Sequence, residues 1–323
     1  MTTDRVAVGE LNGEQQVVVM AGFWQGLWRL ADPKISLTSA ASMYLGIAVA
    51  ATEGPLPWGW LVVTGLAFFC MEVAKNAWGD VFDYDSGTDL AVAPEDRTAF
   101  SGGKRVMVDE LLTRGQTWRI ALGFGATGLL LGGAIVLFRE PAALWIGLLG
   151  MFLGWSYHGP PLRFAYRGLG ELDVVIVYGP LIALATYLIA THRFSMDVLL
   201  LSLPLGLYIA GFLWVNEFPD YAADRICGKY NLIVRLGRHR ASRLLPVIYL
   251  VAAGMTLSLT QFGFSFATLV GLVAAAPALF AVIAVWRKPE TFHRYVPAQP
   301  AALLAFLLYS LGAGTGVILG GID

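Results

Sequence analysis

The chain has 323 residues, of which 57% are hydrophobic and 14% charged, against roughly 25% charged in soluble domains. A formal net charge of −1 lacks the basic surplus of a nucleic-acid binder, and so much apolar sequence excludes an ordinary water-soluble fold. The composition is that of an all-α integral membrane protein.

Residues 1–22 read as a short polar cytosolic tail without the basic-then-apolar order of a cleaved signal, and residues 23–323 as a single transmembrane domain. The stretch Phe23-Trp24-x-x-Leu27-Trp28-Arg29-Leu30 fits an amphipathic helix lying at the membrane interface or the first turn of the bundle. Crossing about 30 Å of hydrocarbon takes about 20 apolar residues. Nine segments qualify, near 35–52, 56–75, 118–138, 142–158, 172–191, 197–215, 244–262, 265–286 and 301–321.

Lys and Arg concentrate in cytoplasmic loops, which gives an independent check on this topology. With the N-terminus inside, only Arg139 and Arg193 of the 22 basic residues fall outside. The expectation is a multi-pass protein of the cell membrane with a cytoplasmic N-terminus. Cys70 lies in the second span and Cys227 in an inner loop, so no disulfide is expected. No segment points to nucleic acid or to an obligate protein partner.

The two longest inner loops, about 76–117 and 216–243, open with Asn76-x-x-x-Asp80 and Asn216-x-x-x-Asp220, four helices apart. On a continued helix Asn76, Asp80 and Asp83 share one face, as do Asn216, Asp220 and Asp224. Acids grouped beside lipid call for a compensating cation. Carboxylate and amide oxygens suit a hard divalent ion, and Mg²⁺ leaves positions for phosphate oxygens. The plainer alternative is acids flanking helix ends and pairing with nearby Arg and Lys. Asp83-x-Asp85-x-Gly87-x-Asp89 also resembles the start of a calcium loop, but its glycine comes one place early and its twelfth position is Pro94, which departs from that pattern. Pro219 predicts that the sixth span kinks or ends at its motif.

Phe100-Ser-Gly-Gly-Lys104-Arg105 has the glycines and charges to fold over a diphosphate. The inner loop Tyr157-His-Gly-Pro-Pro-Leu-Arg163-Phe-Ala-Tyr166-Arg167 makes a rigid turn whose Tyr and Arg suit an aromatic or anionic substrate, with His158 read as structural. Lys229 follows the second acidic cluster. No nucleophile–base arrangement and no His spacing for a metal is evident.

These residues resemble the UbiA superfamily of intramembrane prenyltransferases, from about Arg29-Leu-Ala-Asp-Pro-Lys34 to the last helix. The segments Val81-Phe-Asp-Tyr-Asp-Ser-Gly-Thr-Asp89 and Asp220-Tyr-Ala-Ala-Asp-Arg-Ile-Cys-Gly-Lys229 carry the resemblance. Tyr166-Arg-Gly-Leu-Gly-Glu-Leu172 is most similar to the 1,4-dihydroxy-2-naphthoate polyprenyltransferases of menaquinone synthesis. The resemblance implies a bundle of about nine transmembrane helices around a central cavity, open to the cytoplasmic side and laterally to lipid. It implies two Mg²⁺ ions bridging a polyprenyl diphosphate, held by Asp80, Asp83, Asp220 and Asp224 with Asn76 and Asn216. Lys104, Arg105, Tyr157, Arg163 and Lys229 would bind diphosphate or substrate, and ionisation to an allylic cation would precede attack by the aromatic acceptor. The chain departs from its relatives at Gly79, where they commonly carry Asn, and at Pro161, where some carry Lys, leaving Arg163 as the nearest replacement. 4-Hydroxybenzoate or another acceptor remains an alternative, as does a cation-coupled transporter.

Overall fold

A computed structural model describes residues 13–322, with side chains from residue 22 onward. Residues 1–12 of the expected tail lie outside the described residues. Residues 13–22 open a helix, α1, Gly13–Ala31, whose Trp24 and Trp28 face outward while Leu30 is fully buried. Phe23 and Leu27 rest on the same apolar cluster as Leu30, so α1 is amphipathic and has a packed inner face.

The remaining long helices are α2 Pro33–Glu53, α3 Trp58–Asp85, α4 Arg114–Phe138, α5 Ala143–His158, α6 Gly170–Thr191, α7 Met196–Ile226, α8 Arg238–Phe262, α9 Phe266–Arg287 and α10 Ala298–Gly320. Among the described residues eight helical segments are long and apolar enough to cross a membrane, α1 and α2 counting together. The 16-residue α5 is the shorter ninth that the sequence anticipates. The chain is a multi-pass integral membrane protein.

Burial sets the layering. In α7, 72% of the apolar stretch is buried, against 22% in α4, so α7 is an inner helix and α4 a lipid-facing one. The outer faces carry Leu130, Leu137, Phe138, Trp145 and Leu319, all largely exposed, as lipid contact requires. Inside, where lipid tails are as apolar as leucine, close approach through small residues drives helix association. A β-carbon on Gly179 of α6 would lie 2.9 Å from the Gly206 Cα of α7, so only glycines allow this crossing. Tyr208 and Tyr309 stack at 5.2 Å, and the Tyr309 hydroxyl donates to the Leu201 carbonyl at 2.7 Å, satisfying a buried phenol inside the bundle.

Both motif-bearing helices outrun their apolar segments. Helix α7 does not end at Pro219 but continues through it to Ile226; the Phe218 carbonyl beside it accepts from Arg238 at 3.0 Å. Helix α3 likewise runs on to Asp85, about ten residues beyond its apolar run. Both extensions are polar, and both line one cavity. In α6 the helix widens to a π-turn over Val177–Leu181 around Pro180, a device common at functional sites, and it brings Tyr178 to that cavity.

Candidate active site

The cavity holds about 220 Å³ between the ends of α3 and α7, lined also by the loops 86–113 and 227–237, with the loop 159–169 reaching Asp83 through the Tyr166 hydroxyl. A wider recess of about 520 Å³ on the outer side of α3 and α4, at Phe23, Cys70, Arg119 and Phe124, contains no carboxylate, so the chemistry belongs to the smaller one.

Asn76, Asp80 and Asp83 are all buried on α3 and all line the cavity, as helical spacing predicts. The Asn76 amide donates to the Leu30 carbonyl at 2.9 Å, which ties α1 to the motif. Asp80 accepts from the Arg105 backbone N–H at 2.9 Å, leaving its other oxygen without a partner. Asp83 accepts from the Tyr166 hydroxyl at 2.7 Å and from Lys229 at 3.2 Å. Across the cavity stand Asn216, Asp220 and Asp224 of α7. Asp224 accepts from the Asn231 amide at 2.8 Å.

Lys229 joins the two sides, 3.2 Å from Asp83 and 3.9 Å from Asp224. Burial works against its charge, but those two carboxylates outweigh it and hold the ammonium well above the usual lysine range. Asp89 enters from the loop after α3; burial, with the Asp83 and Asp80 charges, pushes its carboxyl well up. A β-carbon on Gly103, which has φ +75°, would collide with the Asp89 carboxylate, so the glycine loop does pack against an acid of the site.

Six carboxylates (Asp80, Asp83, Asp89, Glu217, Asp220, Asp224) and three lysines (Lys75, Lys104, Lys229) line the cavity. Buried charge must be matched, yet Asp80 Oδ2, Asp89 Oδ2, Asn216 Oδ1, Glu217 Oε2, Asp220 Oδ1 and Asp224 Oδ1 are buried and unpartnered. Hard oxygen donors with nothing to bind fit a divalent cation such as Mg²⁺. Among the described residues no three His, Cys, Asp or Glu side chains close on one point. A cation here would therefore take part of its shell from a ligand that spans the cavity.

The sequence matches the UbiA prenyltransferase family profile over residues 39–313. The chain belongs to the UbiA prenyltransferase family. It is thus a prenyltransferase and not the transporter that composition also allowed. It is 27% identical over 270 residues to a 1,4-dihydroxy-2-naphthoate octaprenyltransferase of Bacillus subtilis, covering 82% of this chain and 80% of that one. It is 32% identical over 237 residues to a 2-carboxy-1,4-naphthoquinone phytyltransferase of Synechocystis, covering 70% of this chain and 73% of that one. In fold it is similar to a UbiA homologue from Archaeoglobus fulgidus bound to GPP and Mg²⁺, with TM-score 0.61, 16% identity and coverage of 90% of this chain and 99% of that one.

The prenyltransferase uses some expected residues differently. Arg105 is buried, but its side chain turns to the Asp89 carbonyl at 3.0 Å and to Asp109 at 3.0 Å; only its backbone serves Asp80. Arg163 is exposed and sits 5.5 Å from the Tyr166 ring, outside the cavity, so the cation beside Asp83 is Lys229. Lys104 lines the cavity while paired with buried Asp32, and Tyr157 lines its wall. His158, read as structural, lines the cavity: its Nε2 lies 3.5 Å from Asp83, and its ring occupies the space in front of Gly79. Glu217, Lys75, Tyr178 and Asn231 also reach the cavity and were not anticipated. Lys75 and Glu217 adjoin the two asparagines, and that adjacency was their only sequence signal; Tyr178 and Asn231 are placed by tertiary folding alone.

Proposed function

We propose that this prenyltransferase moves a polyprenyl group from polyprenyl diphosphate to an aromatic quinone precursor, 1,4-dihydroxy-2-naphthoate, as in menaquinone synthesis. The observation that carries the reading is the set of unpartnered oxygens on opposite walls of one cavity with Lys229 between them. The naphthoate and carboxynaphthoquinone names of the Bacillus and Synechocystis relatives support the acceptor.

Asp80 and Asp83 on one wall, and Asp220 and Asp224 on the other, would hold Mg²⁺, with Asn76 and Asn216 beside them. Bound there, Mg²⁺ supplies Lewis-acid neutralisation of the diphosphate charge. Lys229 and Lys104 stabilise the departing diphosphate. Phe100, Tyr157, Tyr178 and Phe212 present aromatic faces to the cavity, each able to stabilise the allylic cation by about 0.5–2 kcal/mol. The acceptor ring attacks that cation, a C–C bond forms and the ring proton is lost. The prenyl tail would leave through a lateral opening toward lipid. The basic residues of the loops around the cavity mouth support a cytoplasmic location for this end.

Protein in nanodiscs, given geranylgeranyl diphosphate and 1,4-dihydroxy-2-naphthoate, is expected to form prenylated product only with Mg²⁺. Asp80→Ala and Asp220→Ala should each lower kcat by about 10²-fold or more with the melting temperature retained. Unimpaired turnover by either variant, or in excess EDTA, would defeat the metal-clamp reading.

A further inference from the structure

The diphosphate chemistry leaves one cation of the cavity unused. Lys75 lies on α3 next to Asn76 and lines the cavity. At 1.5 Å per residue it stands about 7 Å deeper into the bundle than Asp80. Its ammonium lies 4.7 Å from the centroid of the Tyr157 ring. Lys104 is bound by Asp32 and Lys229 by Asp83, but among the described residues Lys75 forms no salt bridge and no hydrogen bond. Its acidic neighbours are Asp173, Glu72 and Asp83. Glu72 accepts from the Ser39 hydroxyl and Asp83 from Lys229 and Tyr166.

An ammonium inside a membrane bundle is costly without an anion. Beside Tyr157, the same cavity is lined by the apolar and aromatic side chains of Ile35, Val174, Tyr178 and Ile209, which suit a flat ring. Asp80 and Asp83, with Lys229 on Asp83, lie more than one helical turn beyond Lys75 along α3, and the proposed diphosphate site is at that end. We infer that Lys75, over the Tyr157 ring, is the subsite for the carboxylate of a hydroxyaromatic acid acceptor and makes the enzyme select carboxylated acceptors over uncarboxylated ones. This rests on the acceptor reading above and adds the residue that would read it. Because the contact is a charge-assisted hydrogen bond in a dry wall, its loss should cost about tenfold or more in discrimination.

The test compares binding of 1-hydroxy-2-naphthoate and 1-naphthol to nanodisc-embedded protein by intrinsic fluorescence, with no prenyl donor present. Wild type is expected to bind the acid about tenfold tighter or more, Lys75→Arg to keep that preference, and Lys75→Met to bring the two ligands level. Equal binding of both ligands by wild type overturns the inference even if no variant folds. So does an unchanged preference in folded Lys75→Met, or a loss confined to affinity for geranylgeranyl diphosphate. Turnover separates the two readings. Acid selectivity lost in Lys75→Met without any prenyl transfer to naphthoate by wild type would remove the proposed acceptor and leave the subsite. Transfer to naphthoate with selectivity indifferent to Lys75 would do the reverse.

Discussion

At Gly79 a β-carbon would lie 2.8 Å from His158 Nδ1 and 2.9 Å from its Cε1, so the missing side chain on α3 and the imidazole on α5 share one volume. In this chain the His158 ring fills the space that a side chain at this place would need. Gly79→Ala should force His158 away from Asp83 and lower stability by about 1–3 kcal/mol through overpacking. In the Gly79→Ala/His158→Ala double variant most of that loss should disappear, because the obstructing ring is gone. Thermal melts of the two single variants and the double form a cycle; strictly additive shifts would show that the two residues do not compete for space. The acids were readable as spacing, since i, i+4 and i+7 or i+8 fix one helix face. His158 was not, because its role depends on where α5 ends relative to α3.

The loop 86–113 carries Asp89, Lys104 and the backbone donor to Asp80, and a clasp near its start holds it. Asp96 accepts from His293 at 2.9 Å and from Arg294 at 2.7 Å, joining it to the α9–α10 connection, while Gln299 reaches Ser101 at 3.2 Å. Burial raises the Asp96 carboxyl, but the hydrogen bonds from Arg294 and His293 outweigh it and set it below the usual range. Burial also lowers the His293 imidazole, more than Asp96 restores it. Both folded values lie below the free ones. Their stabilisation is therefore present at neutral pH and is lost as pH falls through the folded values. Hydrogen exchange over residues 92–101, corrected for intrinsic rate, should show protection at pH 7 that declines on acidification. Asp96→Asn should already lack much of it at pH 7 and raise KM for the prenyl diphosphate more than it lowers kcat. Protection indifferent to both pH and substitution would dismiss the clasp. The apolar runs located every span, but not the polar ends of α3 and α7. Those ends stay helical because a cavity replaces lipid around them, and a hydropathy window sees only the lost apolarity. Of the two outcomes Pro219 allowed, a kink or an end, the helix does not end there; next to a cavity, an unpaired helix carbonyl is tolerable.

Across the whole molecule, it is charge that points to a direction in the membrane. The three loops that close the cavity hold seven of the 22 basic residues, whereas Arg139 lies inside the fold, donating to the Ile189 and Ala190 carbonyls at 2.8 Å, and Arg193 pairs with Glu53. The two arginines on the opposite side thus have structural partners, which sharpens the bias of the rest toward the cytoplasm. The chain contains its own reporter of sidedness, since its two cysteines are Cys70, buried, and Cys227, half-buried beside the cavity mouth. A membrane-impermeant maleimide should label wild type in inside-out vesicles and not in right-side-out ones. Cys227→Ser should abolish that signal, and adding Gln261→Cys, at an exposed position in the last turn of α8, should restore it with the opposite sidedness. Labelling of Cys227 from the outer face would reverse the topology and require the diphosphate to be supplied from outside the cell. Prenyl diphosphates are charged and do not cross a bilayer unaided, so the enzyme must open toward the compartment that makes its donor. The label therefore tests the substrate route together with the fold.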